Sequence, residues 1–248
     1  MKIFLLAAAI SVLSFNTLHA QESRVTSGLR KLPYWQDLNV VQVNKEYPRT
    51  QFMTYDSRQD ALQSRFEQSK YYLSLNGIWK FYFVNGYKNL PENITDSIVS
   101  LTGWKDIRVP GNREIQGFGI PIYVTHPYEF VERDPVTRFP KMAPPYLPEQ
   151  NPVGVYRREI EIPEDWNDRE IFLCIDAAKS GVYVYINGKE AGYSEDSKTA
   201  AEFRINKYVK AGKNSLVLKI FRWSTGSYLE AQDFWRMSGI ERDVFLGG

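Results

Sequence analysis

The sequence is nearly empty of the residues that carry most nucleophilic and metal chemistry: its 248 residues include one cysteine and two histidines. Cys174 stands alone, so no disulfide can form within the chain. Its setting, Ile171-Phe172-Leu173-Cys174-Ile175, reads as a small apolar residue in a strand. With only His19 and His126 available, a histidine-rich metal site is excluded, and a Ser–His or Cys–His nucleophile has little to draw on. A surplus of charge is missing too: 31 Lys and Arg are interspersed with 29 Asp and Glu, without a basic stripe. That leaves nucleic acid or an anionic membrane no electrostatic basis as a partner.

Nor is there an apolar run long enough to span a bilayer, which takes roughly 20 residues. The run from Ile3 to Phe15 is shorter, follows Lys2 and precedes Leu18-His19-Ala20. This is the order of a secretory signal peptide cleaved after Ala20. The expected mature chain is exported and soluble. Lys2 is the one Lys, Arg, Asp or Glu removed, so net charge falls from +2 to +1.

What is present is mostly β pattern. Residues 21–70 are polar and irregular, with Tyr34, Trp35, Tyr47, Phe52 and Tyr55 scattered among them, and read as an arm that packs onto something else. Asp60 to Lys70 is expected to hold one short helix, with Ala61, Leu62 and Phe66 at helical spacing. From Tyr71 strands follow closely: Ile78–Val84, Val155–Ile162, Glu170–Asp176, Val182–Ile186, Glu202–Ile205, Ser215–Phe221 and Val244–Leu246. Asn187-Gly188 predicts a two-residue hairpin turn returning through Lys189–Ser194, because both central positions of that turn need positive φ. No amphipathic helix of three or more turns interrupts them, so an all-β jelly-roll sandwich over 71–248 is expected.

Nine prolines fall between Pro110 and Pro152, with Tyr123, Tyr128, Phe130, Phe139 and Tyr146 among them. Such a stretch is expected to be a packed surface loop, since flexible linkers seldom spend aromatics. Aromatics make up 15% of the chain; they suit stacking on sugar rings and equally suit a sandwich core. The densest chemistry lies in 222–244, where Ser, Tyr, Glu, Gln, Asp, Trp and Arg share one turn-rich stretch. Those side chains can bind a polyol or a hard cation, or can simply brace one another through ion pairs.

The run Gln232-Asp233-Phe234-Trp235-Arg236-Met237-Ser238-Gly239-Ile240-Glu241-Arg242-Asp243-Val244 is similar to a signature of family 2 glycoside hydrolases, especially the lacZ-type β-galactosidases. Leu75-Asn76-Gly77-Ile78-Trp79, Val109-Pro110-Gly111-Asn112, Pro121-Ile122-Tyr123, Asn151-Pro152-Val153-Gly154-Val155-Tyr156-Arg157, Asn187-Gly188-Lys189, Gly192-Tyr193-Ser194 and Asp196-Ser197 fit in the same order. The arm, through Trp35, Leu38, Asn39 and Asn44, fits as well.

The resemblance implies a galactose-binding-domain-like jelly roll that, in the family, precedes an immunoglobulin-like domain and a catalytic barrel. It implies that Asn151 and Asp233 contact galactose, and that Asp233 ligates sodium in a site shared with the missing domains. Magnesium is expected only in the barrel. Trp235, Arg236 and Arg242 are expected to pack and brace the loop. Both catalytic glutamates belong to the barrel, which needs about 250 residues of its own. The expectation is therefore a domain truncated before catalysis and inactive alone, working on β-galactoside sugars with the remaining domains or as a homo-oligomer, in a bacterial periplasm. A stand-alone carbohydrate-binding or assembly domain is the alternative.

Overall fold

The computed structural model describes residues 32–124, 129–130, 146–230 and 232–248. The signal-peptide segment, the start of the arm, and positions 125–128 and 131–145 of the proline-rich stretch, His126 among them, lie outside the described residues. Among the described residues fourteen strands follow in chain order: β1 (Gln42–Val43), β2 (Tyr72–Ser74), β3 (Gly77–Val84), β4 (Lys105–Val109), β5 (Gly111–Asn112), β6 (Val153–Ile162) and β7 (Phe172–Ile175). Then come β8 (Ala178–Lys179), β9 (Gly181–Ile186), β10 (Lys189–Ser194), β11 (Ala201–Arg204), β12 (Gly212–Phe221), β13 (Gly239–Ile240) and β14 (Val244–Gly247). A large sheet runs in the order β1-β10-β9-β12-β6-β3-β4, a smaller one in the order β11-β7-β14-β2, and β5-β13-β8 form a third. Every pairing among these strands is antiparallel.

Alternation along the strands builds the sandwich. Trp79 and Phe81 of β3, Tyr156 and Ile160 of β6, and Leu216, Leu218 and Ile220 of β12 point one way. They meet Leu173, Ile175, Phe203, Val244 and Leu246 of the smaller sheet in one buried cluster. The hairpin between β9 and β10 turns at Asn187 and Gly188, with φ of 51° and 78°, as the two-residue turn requires. β4 was not legible in Lys105–Val109, where only Ile107 and Val109 are apolar. It pairs β3 at the sheet edge.

The other face of the large sheet is apolar as well. Val153, Val155, Tyr183, Tyr193, Val217 and Phe221 form a second buried cluster with Trp35 of the arm, Ile94 and Leu147. Trp35 stacks on Phe221 at 5.0 Å between centroids, and Tyr34 on Tyr183 at 5.6 Å. The arm also joins the sheet, since β1 pairs Gln42 with Ser194 and Val43 with Tyr193. Gly192 permits this approach: a Cβ there would stand 2.8 Å from the Val43 carbonyl oxygen and 2.5 Å from the Phe203 ring. The expected helix is one short turn pair, α1 (Arg58–Gln63), capped by the Ser57 side chain accepting from the Asp60 N–H. It stops where Ser64 turns left-handed at φ 51°, and Phe66–Gln68 continue as a separate 3-10 turn. Among the described residues no helix is long and apolar enough to cross a membrane.

One polar group sits under the arm. Lys219 places its Nζ 4.7 Å from the Tyr183 ring centroid and 5.1 Å from that of Tyr185, and donates to the Tyr185 hydroxyl at 3.1 Å. Burial pushes its pKa down to about 8, against a partial pull upward from Glu190. Between about pH 8 and 10.5 the unfolded chain therefore holds the proton that the folded chain has released. Stability of the wild type relative to Lys219→Met should rise with pH across this window, and urea titrations at several pH values measure it. Trp35→Ala should cost about 3–5 kcal/mol, as loss of a large core side chain does, and thermal unfolding would show whether the arm is part of the core.

Candidate functional site

Where β12 ends, the chain leaves the sheet through Arg222 and Trp223 and winds a 3-10 turn over Thr225–Tyr228. Ser224 and Ser227 close a reciprocal capping box around that turn. Glu195 holds it from outside: the carboxylate accepts from the Tyr193 hydroxyl (2.6 Å), the Thr225 hydroxyl (2.8 Å) and the Gly226 N–H (2.5 Å). Burial outweighs these bonds and pushes the Glu195 pKa up. Glu230 does similar work, accepting from the Ser197 N–H and hydroxyl, both at 2.6 Å.

Beneath the stretch lies a chain of buried ion pairs. Arg222 reaches Glu114 at 3.1 Å and Glu129 at 3.2 Å, and donates to the carbonyls of Ile120 (3.0 Å) and Arg236 (2.9 Å). Glu114 also pairs with Arg113 at 3.3 Å and accepts from the Ser238 N–H at 2.8 Å. Glu129 accepts from the Trp223 indole at 2.7 Å and meets Arg236 at 3.5 Å. Burial lowers the pKa of Arg113, with Glu114 opposing. Lys179 is buried beside the same turn, with its Nζ 4.8 Å from the Phe234 ring, and burial lowers its pKa.

The surface above this network carries Asp233. Its carboxylate is exposed and Oδ1 accepts from the Tyr123 hydroxyl at 2.9 Å; that bond and the carboxylate charge raise the tyrosine pKa. Trp235, expected to pack, is instead 54% exposed and leans on Tyr123 at 5.6 Å. Arg236 braces the loop as expected, buried and bridged through the main chain to Ile122. Arg242, exposed, donates to the Lys198 carbonyl at 3.2 Å.

Asn151 stands differently from Asp233. It is fully buried, its Nδ2 donates to the Trp223 carbonyl at 2.7 Å and its Oδ1 accepts the Trp223 N–H at 3.1 Å. Its amide is thus committed to the main chain at the exit of β12. Asp233 supplies one carboxylate with one oxygen already engaged, and no group of three or more His, Cys, Asp or Glu among the described residues can hold a metal.

Sequence reasoning missed Glu114, Glu129 and Tyr123 as partners of this stretch, and the part Arg222 plays in tying them to it. The only signal was weak: Arg113-Glu114 follows the Val109-Pro110-Gly111-Asn112 block, and Tyr123 closes the Pro121-Ile122-Tyr123 block. Because Asn151 answers both a donor and an acceptor of Trp223, Asn151→Ala should cost about 2–3 kcal/mol, leaving buried main-chain groups unpaired. Asn151→Asp should be no better at neutral pH, since a carboxylate cannot donate to the Trp223 carbonyl. Denaturant titration of the three proteins checks both.

The described geometry has clear counterparts. Residues 72–247 match the model of the glycosyl hydrolases family 2 sugar binding domain. The chain is 38% identical over 216 residues to a β-galactosidase of Priestia megaterium, covering 86% of this chain and 20% of that protein. It is 36% identical over 211 residues to a β-galactosidase of Halalkalibacterium halodurans, covering 85% of this chain and again 20% of the relative. It therefore spans about a fifth of the length of these relatives. Among solved structures, Bacteroides uniformis β-glucuronidase superposes with a TM-score of 0.51 at 24% identity, over 71% of this chain and 17% of that one, which speaks to the fold alone. On the strength of a match running from β2 to β14, this chain belongs to glycosyl hydrolase family 2, as its sugar-binding domain.

Proposed function

We propose that the chain is the sugar-binding part of a β-galactosidase, holding the terminal β-D-galactose of a β-galactoside while other domains supply the catalytic carboxylates. The observation that carries this reading is the exposed edge of Asp233, Tyr123 and Trp235 fixed above buried ion pairs, in a chain 38% identical to a β-galactosidase. A carboxylate accepts strongly from sugar hydroxyls, and an exposed indole offers a flat apolar face to pyranose C–H groups. Asn151 would then act through position, by fixing Trp223 at the strand exit.

Retaining glycosidases use two carboxyl groups about 5–5.5 Å apart. Glu195 is unsuited to such a role, because its oxygens are already engaged by Tyr193, Thr225 and Gly226. A sodium ion at Asp233 would need further oxygen donors beside this carboxylate. A stand-alone binding module is the less favoured reading, since this edge faces only one side of a sugar. The partners proposed are the remaining domains of a family 2 hydrolase, or further copies of the chain. Export to a periplasm is proposed on Lys2, the Ile3–Phe15 run and Leu18-His19-Ala20.

Incubated with an aryl β-galactoside, the 248-residue protein is expected to release no phenol above the spontaneous rate. Activity should appear when a polypeptide carrying the family's barrel is added, and Asp233→Asn should lower it about tenfold or more. Sustained turnover by the chain alone would overturn the reading.

A further inference from the structure

Folding segregates charges that the sequence intersperses. Two clefts, of about 590 and 540 Å³, share Ser97, Asn187 and Lys213, and so form one continuous groove. It runs over the part of the large sheet that the arm leaves uncovered. Lys80, Arg157, Arg158 and Lys213 line the first cleft. Lys189, Lys207 and Lys210 join Lys213 around the second, where no carboxylate lines the wall. Against these seven cations stand two acids, Asp106 and Glu159, paired with Lys80 at 2.6 Å and Lys213 at 2.9 Å. The groove thus holds an excess of five positive charges, in a chain whose total is only +2.

Of the remaining cations, Arg157 is offset in part by the nearby Asp96 carboxylate, which does not itself line the cleft. Arg157 donates to the carbonyls of Asp96, at 2.7 Å, and Ser97. Arg158 donates to those of Leu75 and Asn76 at 2.6 and 2.9 Å. These bonds orient the guanidinium groups and leave their charge intact. Lys80 stands directly opposite Arg157 across the β3–β6 pair, a like-charge juxtaposition that the Asp106 partner of Lys80 relieves only in part. Lys189, Lys207 and Lys210 are exposed, and Lys207 lies 5.0 Å over its neighbour Tyr208.

The rim is aliphatic. Ile98 is 90% exposed and Ile78 62% exposed, with Leu101 beside them. Single-stranded nucleic acid is bound on stacking platforms of exposed aromatic rings. The rings here are Trp79, which is buried, and Tyr208, which is half-buried. Aliphatic side chains between separated cations instead suit pyranose C–H faces alternating with anionic substituents.

We propose that this groove binds a linear acidic glycan, one carrying carboxylate or sulfate groups along its length, at a surface that shares no residue with the Asp233 edge. Labelled polygalacturonate and heparin, as carboxylate and sulfate probes, can be titrated into the 248-residue protein by fluorescence anisotropy, with dextran as the neutral control. Binding of at least one acidic probe is expected at about 0.05 M salt, falling about tenfold or more by about 0.5 M. The probe that binds identifies the substituent.

Lys189→Glu/Lys207→Glu/Lys210→Glu should lose binding about tenfold or more, and the milder Lys207→Gln/Lys210→Gln should lose part of it, both with unchanged thermal unfolding. Asp233→Asn should bind as the wild type does, which separates this surface from the galactoside edge. Absence of binding at low salt, binding indifferent to both sets of lysine variants, or tighter binding to phosphatidylglycerol vesicles or single-stranded DNA would each overturn the proposal.

Discussion

A sheet of seven strands that is apolar on both faces has to be covered twice, and much of the architecture follows from that constraint. The inner face is met by the smaller sheet, through Trp79, Phe81, Leu216 and Leu218 against Leu173, Phe203 and Val244. The outer face is met by pieces: the arm with Trp35, the connection carrying Ile94, and Leu147. At roughly 25 cal/mol for each Å² of apolar surface removed from water, large rings such as Trp35 and Phe221 make this cover a substantial part of the fold's stability. The arm is therefore as much a layer of the core as a strand is, although it shows no periodicity of its own.

Covering both faces forces the polar chemistry to the ends of the strands. The exit of β12 is the place where main-chain groups leave the ladder with no strand to pair, and Asn151, Glu195, Glu114 and Glu129 converge there. Three arginines and two glutamates are taken out of water together, which is costly for each ion separately and tolerable only as a connected set. Such a set is an uneven source of stability but a strong source of geometry. Removing one member strands its partners in a dry environment, so the loop has one arrangement or none. Asp233 and Trp235 inherit that rigidity while remaining at the surface.

The strands were legible because alternation and the Asn-Gly turn are local signals. Val153–Ile162 and Gly212–Phe221 depart from the expected bounds only at their starts, where pairing continues past the last residue that alternation marks. β4 and β1 escaped because a short edge strand needs little apolar pattern: Lys105–Val109 carries two inward residues and Gln42–Val43 is set by Gly192 far along the chain. The site was legible as a stretch, 222–244, through density of functional groups and family likeness. Its supports were not. Arg222 and Glu114 are 108 positions apart, Tyr123 and Asp233 are 110 apart, and no local pattern announces such pairs. The cationic groove was hidden for the same reason: its lysines come from three separate segments and look evenly spread along the chain.

The position of β14 has a bearing on how the molecule is made. It is the last-synthesised of the strands, yet it lies inside the smaller sheet, with β7 on one side and β2 on the other. Until Val244–Gly247 have been made, β2 has no partner and β7 lacks one of its two neighbours. The inner residues of the large sheet then face an incomplete wall. Nascent chains caught at that stage present two open strand edges and much of the core to water. Val244–Gly247, once made, close that gap with four residues.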